Sequence, residues 1–194
     1  MDVPRGAALL DRLLSVPTIE RDTWVDALLG METAPDDTDL PHGSVPYLPC
    51  GVEEILTMVR EVPLRSEDTL VDLGSGLGRV VILAHLLTGA RALGIEIQEP
   101  LVRIAKERCT ALELPGVTFV HANVADTELD GSVFFLYAPF NGAMLARVLE
   151  RLEEAARRRP LVVCTVDVEL HVAWLTRRKT SSVSLTVYDT TFSV

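Results

Sequence analysis

A nine-residue run in the first half of the chain constrains its fold more than any other segment. Val71-Asp72-Leu73-Gly74-Ser75-Gly76-Leu77-Gly78-Arg79 places three alternate glycines between an apolar stretch that contains an acidic residue and a second apolar stretch. Glycine has no Cβ, so its backbone can adopt positive φ and approach a ligand closely. A helix that follows would present unpaired N–H groups at its first turn. The run therefore predicts a strand, a ligand-binding loop and a helix, in that order.

Short apolar runs alternate with segments of helical spacing along the rest of the chain. Strands are predicted at residues 69–73, 91–96, 117–120, 133–138 and 161–167, with helices at 79–87, 100–112 and 142–158. This alternation is typical of an α/β fold in which helices cover both faces of a doubly wound, mostly parallel sheet. The ligand crevice of such a sheet lies at the carboxyl ends of its strands. Residues 182–188 alternate in hydropathy without a further helix, which predicts a C-terminal antiparallel hairpin at the sheet edge.

Residues 1–49 are predicted to form an N-terminal helical extension and a proline-rich lid. Two apolar groups at helical spacing indicate two amphipathic helices: Leu9, Leu10, Leu13 and Leu14, then Trp24, Val25, Leu28 and Leu29. Four prolines between residues 31 and 49 disfavour regular structure there. The α/β domain is therefore expected to cover residues 50–194.

Charge and cysteine content argue against several classes of function. The formal net charge of −10 argues against a broad nucleic-acid surface, because such surfaces need cations against the phosphates. Cys50, Cys109 and Cys164 lack metal-ligand spacing, which predicts reduced thiols in a cytoplasmic protein without a metal site. The longest apolar runs are far shorter than the roughly 20 residues that a membrane span needs. The oligomeric state is left open by these features.

Polar residues follow three successive predicted strands. Asp72 precedes the glycine loop, Glu96 ends the second strand, and Asn123 follows the third. A carboxylate at the position of Glu96 can accept hydrogen bonds from both hydroxyls of a ribose. The Asn123 amide can bond the polar edge of an adenine, with Ile97 and Val124 against the ring faces, although an asparagine at a strand end is also typical of an Asx turn.

The glycine spacing distinguishes between classes of nucleotide cofactor. The loop reads Gly-x-Gly-x-Gly, whereas nicotinamide and flavin binders carry Gly-x-Gly-x-x-Gly, whose third glycine packs the helix near a pyrophosphate. A nicotinamide-dependent dehydrogenase is therefore disfavoured.

Three motifs resemble those of class I S-adenosylmethionine-dependent methyltransferases: residues 71–79, Gly94-Ile95-Glu96-Ile97 and Ala122-Asn123-Val124. The resemblance covers about residues 45–194 and implies a Rossmann-like domain with S-adenosyl-L-methionine as its cofactor. It implies that the methionine moiety borders Asp72, Gly74, Ser75, Gly76 and Gly78, that Glu96 holds the ribose, and that Asn123 and Val124 hold the adenine, beside Ile97. Asn123 stands where the family often has aspartate.

A second resemblance narrows the family. Ser44-Val45-Pro46-Tyr47-Leu48-Pro49 ahead of the glycine loop is similar to a segment of small seven-strand protein-lysine methyltransferases. These are the mitochondrial ATP-synthase-modifying type and the nucleosome-core histone lysine methyltransferases. The resemblance implies a seven-strand sheet and places Tyr47 over the cofactor near the methyl group. A packing role for the Tyr47 ring is the alternative.

The methyl acceptor is expected to approach the end of the fourth strand, at Tyr137-Ala138-Pro139-Phe140-Asn141. Enzymes that methylate adenine or glutamine amides usually carry Asp/Asn-Pro-Pro-Tyr/Phe here, and this chain lacks the first amide or carboxylate. Tyr47, Tyr137, Phe140 and Asn141 are the candidate acceptor-site residues, and no general base can be assigned. A protein lysine amine is the predicted acceptor. A small-molecule acceptor, or a catalytically inactive cofactor-binding regulatory module, is the alternative.

Overall fold

The computed structural model describes residues 3–31, 34–35, 40, 42, 44, 46–137 and 140–192. Its centre is a seven-stranded sheet with strand order β3-β2-β1-β4-β5-β7-β6. The strands are β1 (Thr69–Leu73), β2 (Arg91–Glu96), β3 (Val117–His121), β4 (Val133–Tyr137), β5 (Val162–Val166), β6 (Leu175–Arg177) and β7 (Leu185–Thr190). The helices are α1 (Gly6–Ser15), α2 (Arg21–Leu29), α3 (Val52–Glu61), α4 (Arg79–Thr88), α5 (Glu99–Ala111) and α6 (Gly142–Arg158).

The first five strands are parallel, and the last two close the sheet in the antiparallel sense. Both features confirm the predicted doubly wound, mostly parallel sheet with a C-terminal hairpin. The hairpin inserts its second strand, β7, against β5 and leaves β6 at the edge. Because the chain turns from β1 towards β2 and β3, and later from β1 towards β4 and β5, a crevice opens at the carboxyl end of β1.

Two buried apolar clusters cover the two faces of the sheet. Leu70 belongs to the cluster that includes the interior of α4, whereas Val71 and Leu73 belong to the cluster beneath α6. This division follows from the period-2 alternation of side chains along a strand. Helix α4 is buried on almost every side, which explains why its sequence is apolar throughout.

Helices α1 and α2 belong to the first of these cores. Leu9 and Leu13 of α1 and Val25 of α2 are fully buried, and α1 packs against α4. The division into an extension over residues 1–49 and a domain over residues 50–194 stays a prediction. The predicted lid is described only at Met31, Ala34, Pro35, Leu40, His42, Ser44 and residues 46–49, and its other positions lie outside the described residues.

Several strand boundaries differ from those predicted by hydropathy alone. The third strand continues to His121, and the fifth ends at Val166, because Asp167 adopts a left-handed conformation with φ of 57° that leaves the sheet. The fourth strand ends at Tyr137, and Ala138 and Pro139 lie outside the described residues.

No helix in the described ranges combines the length and the apolar character required to cross a lipid bilayer.

Candidate functional site

A cavity of about 220 Å³ lies where the strands end, across β2, β1, β4 and β5. Its wall is formed by Leu40, Ser44, Pro46, Tyr47, Leu48, Gly74, Ile95, Glu96, Ile97, Gln98, Ala122, Asn123, Val124, Tyr137, Phe140, Met144 and Asp167. The structure thus brings residues from all three predicted cofactor motifs to one crevice. Lysine, arginine and histidine are absent from the described residues of this wall, whereas Glu96 and Asp167 give it two carboxylates.

The glycine loop is held against the neighbouring strand by its own backbone. Gly74 and Ser75 both donate their N–H groups to the Ile95 carbonyl, at 2.9 and 3.1 Å. Gly78 has φ of 86°, and a Cβ there would lie 2.3 Å from the Phe119 ring. The sequence therefore needs glycine at this position both for the turn and for the packing of the loop on β3.

Glu96 organises the loop as well as the cavity wall. One carboxylate oxygen accepts the Gly76 N–H at 2.8 Å, and the other accepts the N–H groups of Ile97 and Gln98 at 2.8 and 2.9 Å. The residue is buried, with 6% of its surface exposed. Because two carboxylate oxygens offer about four acceptor positions, one remains for a ligand hydroxyl in the cavity.

Asp72 lies beside a second, smaller cavity of about 20 Å³, together with Tyr47, Ser75 and Arg79. Burial, assisted by the nearby Glu96 carboxylate, raises the pKa of Asp72 to about 8. The Ser75 hydroxyl is buried and has no hydrogen-bond partner among the described residues. A buried hydroxyl without a partner is costly, so this recess is chemically suited to a polar ligand group such as an amine or carboxylate.

Asp72 is expected to make the unliganded fold less stable as the pH rises. Its folded-state pKa is about 8, above its ordinary 3.8, so the stability contributed by its protonated form is complete below about pH 4 and is lost through about pH 8. In urea titrations at about pH 5 and pH 9, Asp72→Asn should gain stability relative to the wild type as the pH rises. Exposed Asp130→Asn is the control. Equal pH dependence in wild type and Asp72→Asn would contradict the assignment.

Tyr47 packs its ring directly on the glycine loop. A Cβ added to Gly76 would lie 2.2 Å from Cε2 of Tyr47, so only glycine admits the ring at this point. Burial raises the pKa of Tyr47 to about 12. The residue lines both cavities, so the packing interpretation and the ligand-facing interpretation are both compatible with its position. Val45, in the same motif, lies outside the described residues.

Gly76→Ala is expected to displace Tyr47 and to weaken ligand binding in the cavity by at least about tenfold, which corresponds to about 1.4 kcal/mol. Gly89→Ala is the matched control, because Gly89 also has positive φ, of 75°, but has no atom within 4 Å of its added Cβ. Isothermal titration with S-adenosylhomocysteine measures the effect. Equal affinities for both variants would show that the Tyr47 contact does not shape the cavity.

Asn123 caps the short 3-10 helix formed by Val124–Asp126. Its side-chain oxygen accepts the Ala125 N–H at 3.0 Å, and its amide nitrogen donates to Asp126 at 2.9 Å. The residue therefore makes the turn contacts that were the alternative to adenine binding. It also lines the cavity beside Val124 and Ile97, and one amide hydrogen remains for a ligand.

Three of the four predicted acceptor-site residues line the cavity. Tyr47, Tyr137 and Phe140 form part of its wall, whereas Asn141 stands at the N-cap of α6, is exposed and makes no capping hydrogen bond with its side chain. Phe140 is held by an antiparallel bridge to Ser44. Burial, followed by the charge of Asp167, raises the pKa of Tyr137.

Arg79 is an organising residue of the site that sequence reasoning did not identify. It accompanies the glycine motif, but its partners lie far away in sequence. The guanidinium donates to Asp22 at 2.9 Å, to both oxygens of Asp26 at 2.6 Å, and to the Cys50 carbonyl at 2.8 Å. Asp22 also accepts the Val52 N–H, at 3.0 Å. These bonds fasten α2, the start of α3 and the segment after Tyr47 to the beginning of α4.

Residues 47–126 match the family model described as "Histone methylation protein DOT1". The matched segment runs from Tyr47 through the glycine loop and Glu96 to Asp126. Over 139 residues, the chain is 29% identical to an ATP synthase lysine N-methyltransferase of Caenorhabditis elegans, covering 67% of this chain and 71% of that protein.

Solved structures share the fold at lower identity. One neighbour is an RNA methyltransferase from Salinibacter ruber in complex with S-adenosyl-L-homocysteine, with a TM-score of 0.54, 23% identity and coverage of 73% of this chain and 92% of that one. Another is the Escherichia coli protein yhhF, a putative methyltransferase, with a TM-score of 0.58, 15% identity and coverage of 78% and 90%. These similarities support the architecture of the sheet and helices.

Proposed function

Because the chain is a class I S-adenosylmethionine-dependent methyltransferase, we propose that its methyl acceptor is the amine of a lysine side chain in a protein. The observation that carries the proposal is the similarity to a lysine N-methyltransferase over two thirds of the chain. The acidic cavity wall, which has no basic side chain among its described residues, is consistent with a cationic acceptor. These relatives give no support to the alternatives of a small-molecule acceptor or an inactive binding module.

We propose that the cofactor lies along the strand ends in the order of the sequence motifs. Asn123, Val124 and Ile97 would contact the adenine, and Glu96 would accept a ribose hydroxyl with its remaining acceptor position. Gly74, Gly76 and Gly78 would border the methionine moiety by their backbone. Asp72 and Ser75 would meet its amine and carboxylate, because these two side chains line the small polar recess below Tyr47.

When bound, S-adenosylmethionine supplies an activated methyl group that the lone pair of the neutral amine takes in line as the carbon–sulfur bond breaks and its electrons remain on sulfur. The chain's own contribution is alignment and exclusion of water. Tyr47, Tyr137 and Phe140 enclose the reacting centre from different segments. A separate general base is not required, because the amine proton can be lost to solvent before attack.

Labelling of a cell extract tests the proposed acceptor. The enzyme is incubated with S-adenosylmethionine that carries a trideuterated methyl group, and the proteins are then digested and analysed by mass spectrometry. We expect the label on lysine side chains of one or a few proteins, and its absence when Glu96→Ala replaces the wild type. Label that appears only on metabolites or on other side chains would overturn the proposal.

We also propose a cytoplasmic location and a protein partner without nucleic acid. Cys50, Cys109 and Cys164 are free and buried, as expected for reduced thiols. The net charge of −10 disfavours broad contacts with phosphates.

A further inference from the structure

The two carboxylates of the cavity wall differ in their bonding. The Glu96 carboxylate already accepts three backbone N–H groups. The Asp167 side chain, in contrast, makes no hydrogen bond or ion pair with any residue within the described ranges, although it lines the same cavity. Its charge is therefore available to a ligand.

Asp167 lies at the end of the cavity away from Glu96. Strands β2, β1, β4 and β5 are consecutive in the sheet, so the ends of β2 and β5 are separated by three strand spacings, roughly 14 Å. Val166 pairs with Tyr137 in the β4–β5 register, which places Asp167 next to the predicted acceptor segment. The cofactor motifs occupy the ends of β1, β2 and the segment after β3, so the β5 end remains for the acceptor.

A defined turn holds Asp167 in this place. The buried Thr165 hydroxyl donates to the Val168 carbonyl at 2.7 Å, and Asp167 adopts φ of 57° between them. Aspartate, asparagine and glycine tolerate this conformation better than other residues. The turn alone would be served equally well by asparagine or glycine, so the negative charge needs a separate explanation.

The electrostatic surroundings of Asp167 supply that explanation. The described part of the cavity wall has no basic side chain to neutralise it. Asp167 and Glu54 both act on the Tyr137 hydroxyl and raise its pKa, after the larger effect of burial. The acceptor end of the cavity therefore has a negative potential with no counter-charge on its described wall.

We propose that Asp167 is a specificity-determining residue that binds the charged amine of the methyl acceptor. The inference rests on the proposed lysine specificity, because an ammonium group is the acceptor chemistry that an unpaired carboxylate recognises. Asp167 thus discriminates against neutral acceptors of the same shape, since these would leave its charge without a partner.

The affinity ratio for two cofactor analogues tests this role without knowledge of the acceptor. Sinefungin carries a protonated amine where the cofactor carries its methyl group, whereas S-adenosylhomocysteine has neither group. Isothermal titration gives both dissociation constants for the wild type, Asp167→Asn and Asp167→Gly. Glu169→Gln is the matched control, because Glu169 is an exposed carboxylate two residues away that pairs with Arg177.

We expect Asp167→Asn and Asp167→Gly to lower the preference for sinefungin by about three- to fivefold, as for a partly exposed charge pair, with S-adenosylhomocysteine affinity unchanged. The preference of the wild type should also fall as the salt concentration rises. Glu169→Gln should retain the wild-type ratio.

An unchanged sinefungin preference in both Asp167 variants would overturn the inference, whichever acceptor the enzyme uses. The labelling experiment reports separately on the lysine proposal. Label on neutral metabolites, combined with a reduced sinefungin preference, would reject lysine as the acceptor while leaving Asp167 as a cation-binding residue.

Discussion

Glu96→Ala is expected to lower the affinity for S-adenosylhomocysteine by at least about 100-fold. The substitution removes a carboxylate that accepts three backbone N–H bonds and that we propose also binds the ribose. Hydrogen bonds to charged groups contribute about 1.5–3 kcal/mol each, so the loss of one ligand bond and the loosening of the glycine loop together reach this magnitude. Isothermal titration of the purified variant measures it.

Two further variants separate the charge of Glu96 from its size. Glu96→Gln keeps the shape of the side chain but turns an amide group towards the N–H donors, so it should lose most of the affinity as well. Glu99→Ala removes an exposed carboxylate from the first turn of α5 and should bind normally. If Glu96→Ala and Glu99→Ala bound the ligand equally well, the assignment of Glu96 to the cofactor site would be wrong.

Arg79→Met is expected to destabilise the fold by about 3 kcal/mol, with a loss of roughly 10 °C in the unfolding temperature. The Arg79 side chain is 6% exposed, and its removal leaves Asp26, which is 23% exposed, without its cationic partner. The variant should also bind S-adenosylhomocysteine more weakly, because the Cys50 carbonyl that Arg79 holds lies three residues after Tyr47. Calorimetric unfolding and ligand titration measure the two effects.

Arg178→Met provides the comparison for an ion pair nearer the surface. Arg178 and Asp189 are 34% and 47% exposed, so breaking their pair should cost no more than about 1 kcal/mol. Addition of Asp22→Asn and Asp26→Asn to Arg79→Met should recover part of the lost stability, because the unpaired charges disappear. A stability loss for Arg79→Met that is no larger than that for Arg178→Met would refute the proposed clamp.

Local patterns predicted the central part of this fold. The glycine run forms the loop between β1 and α4, Glu96 ends β2, and Asn123 follows β3, each where hydropathy and spacing placed it. Such features are predictable because a strand followed by a turn and a helix depends on neighbouring residues. The meeting of their ends in one cavity then follows from the handedness of parallel crossovers.

Contacts between distant segments were not predictable in the same way. Arg79 reaches partners 57 and 53 positions away, and no periodicity in the sequence links them. The insertion of β7 against β5 depends on tertiary packing of the hairpin. Asp167 reads as the end of a hydropathy run, and only its left-handed turn separates it from the strand and places it in the cavity wall.

A crystal structure of the protein with S-adenosylhomocysteine tests the assignment of the site most directly. We predict the ribose hydroxyls within hydrogen-bond distance of Glu96, the adenine between Ile97 and Val124, and the sulfur directed towards Tyr137 and Asp167. A ligand whose ribose lies away from Glu96, or whose sulfur faces away from the β4 and β5 ends, would contradict the account.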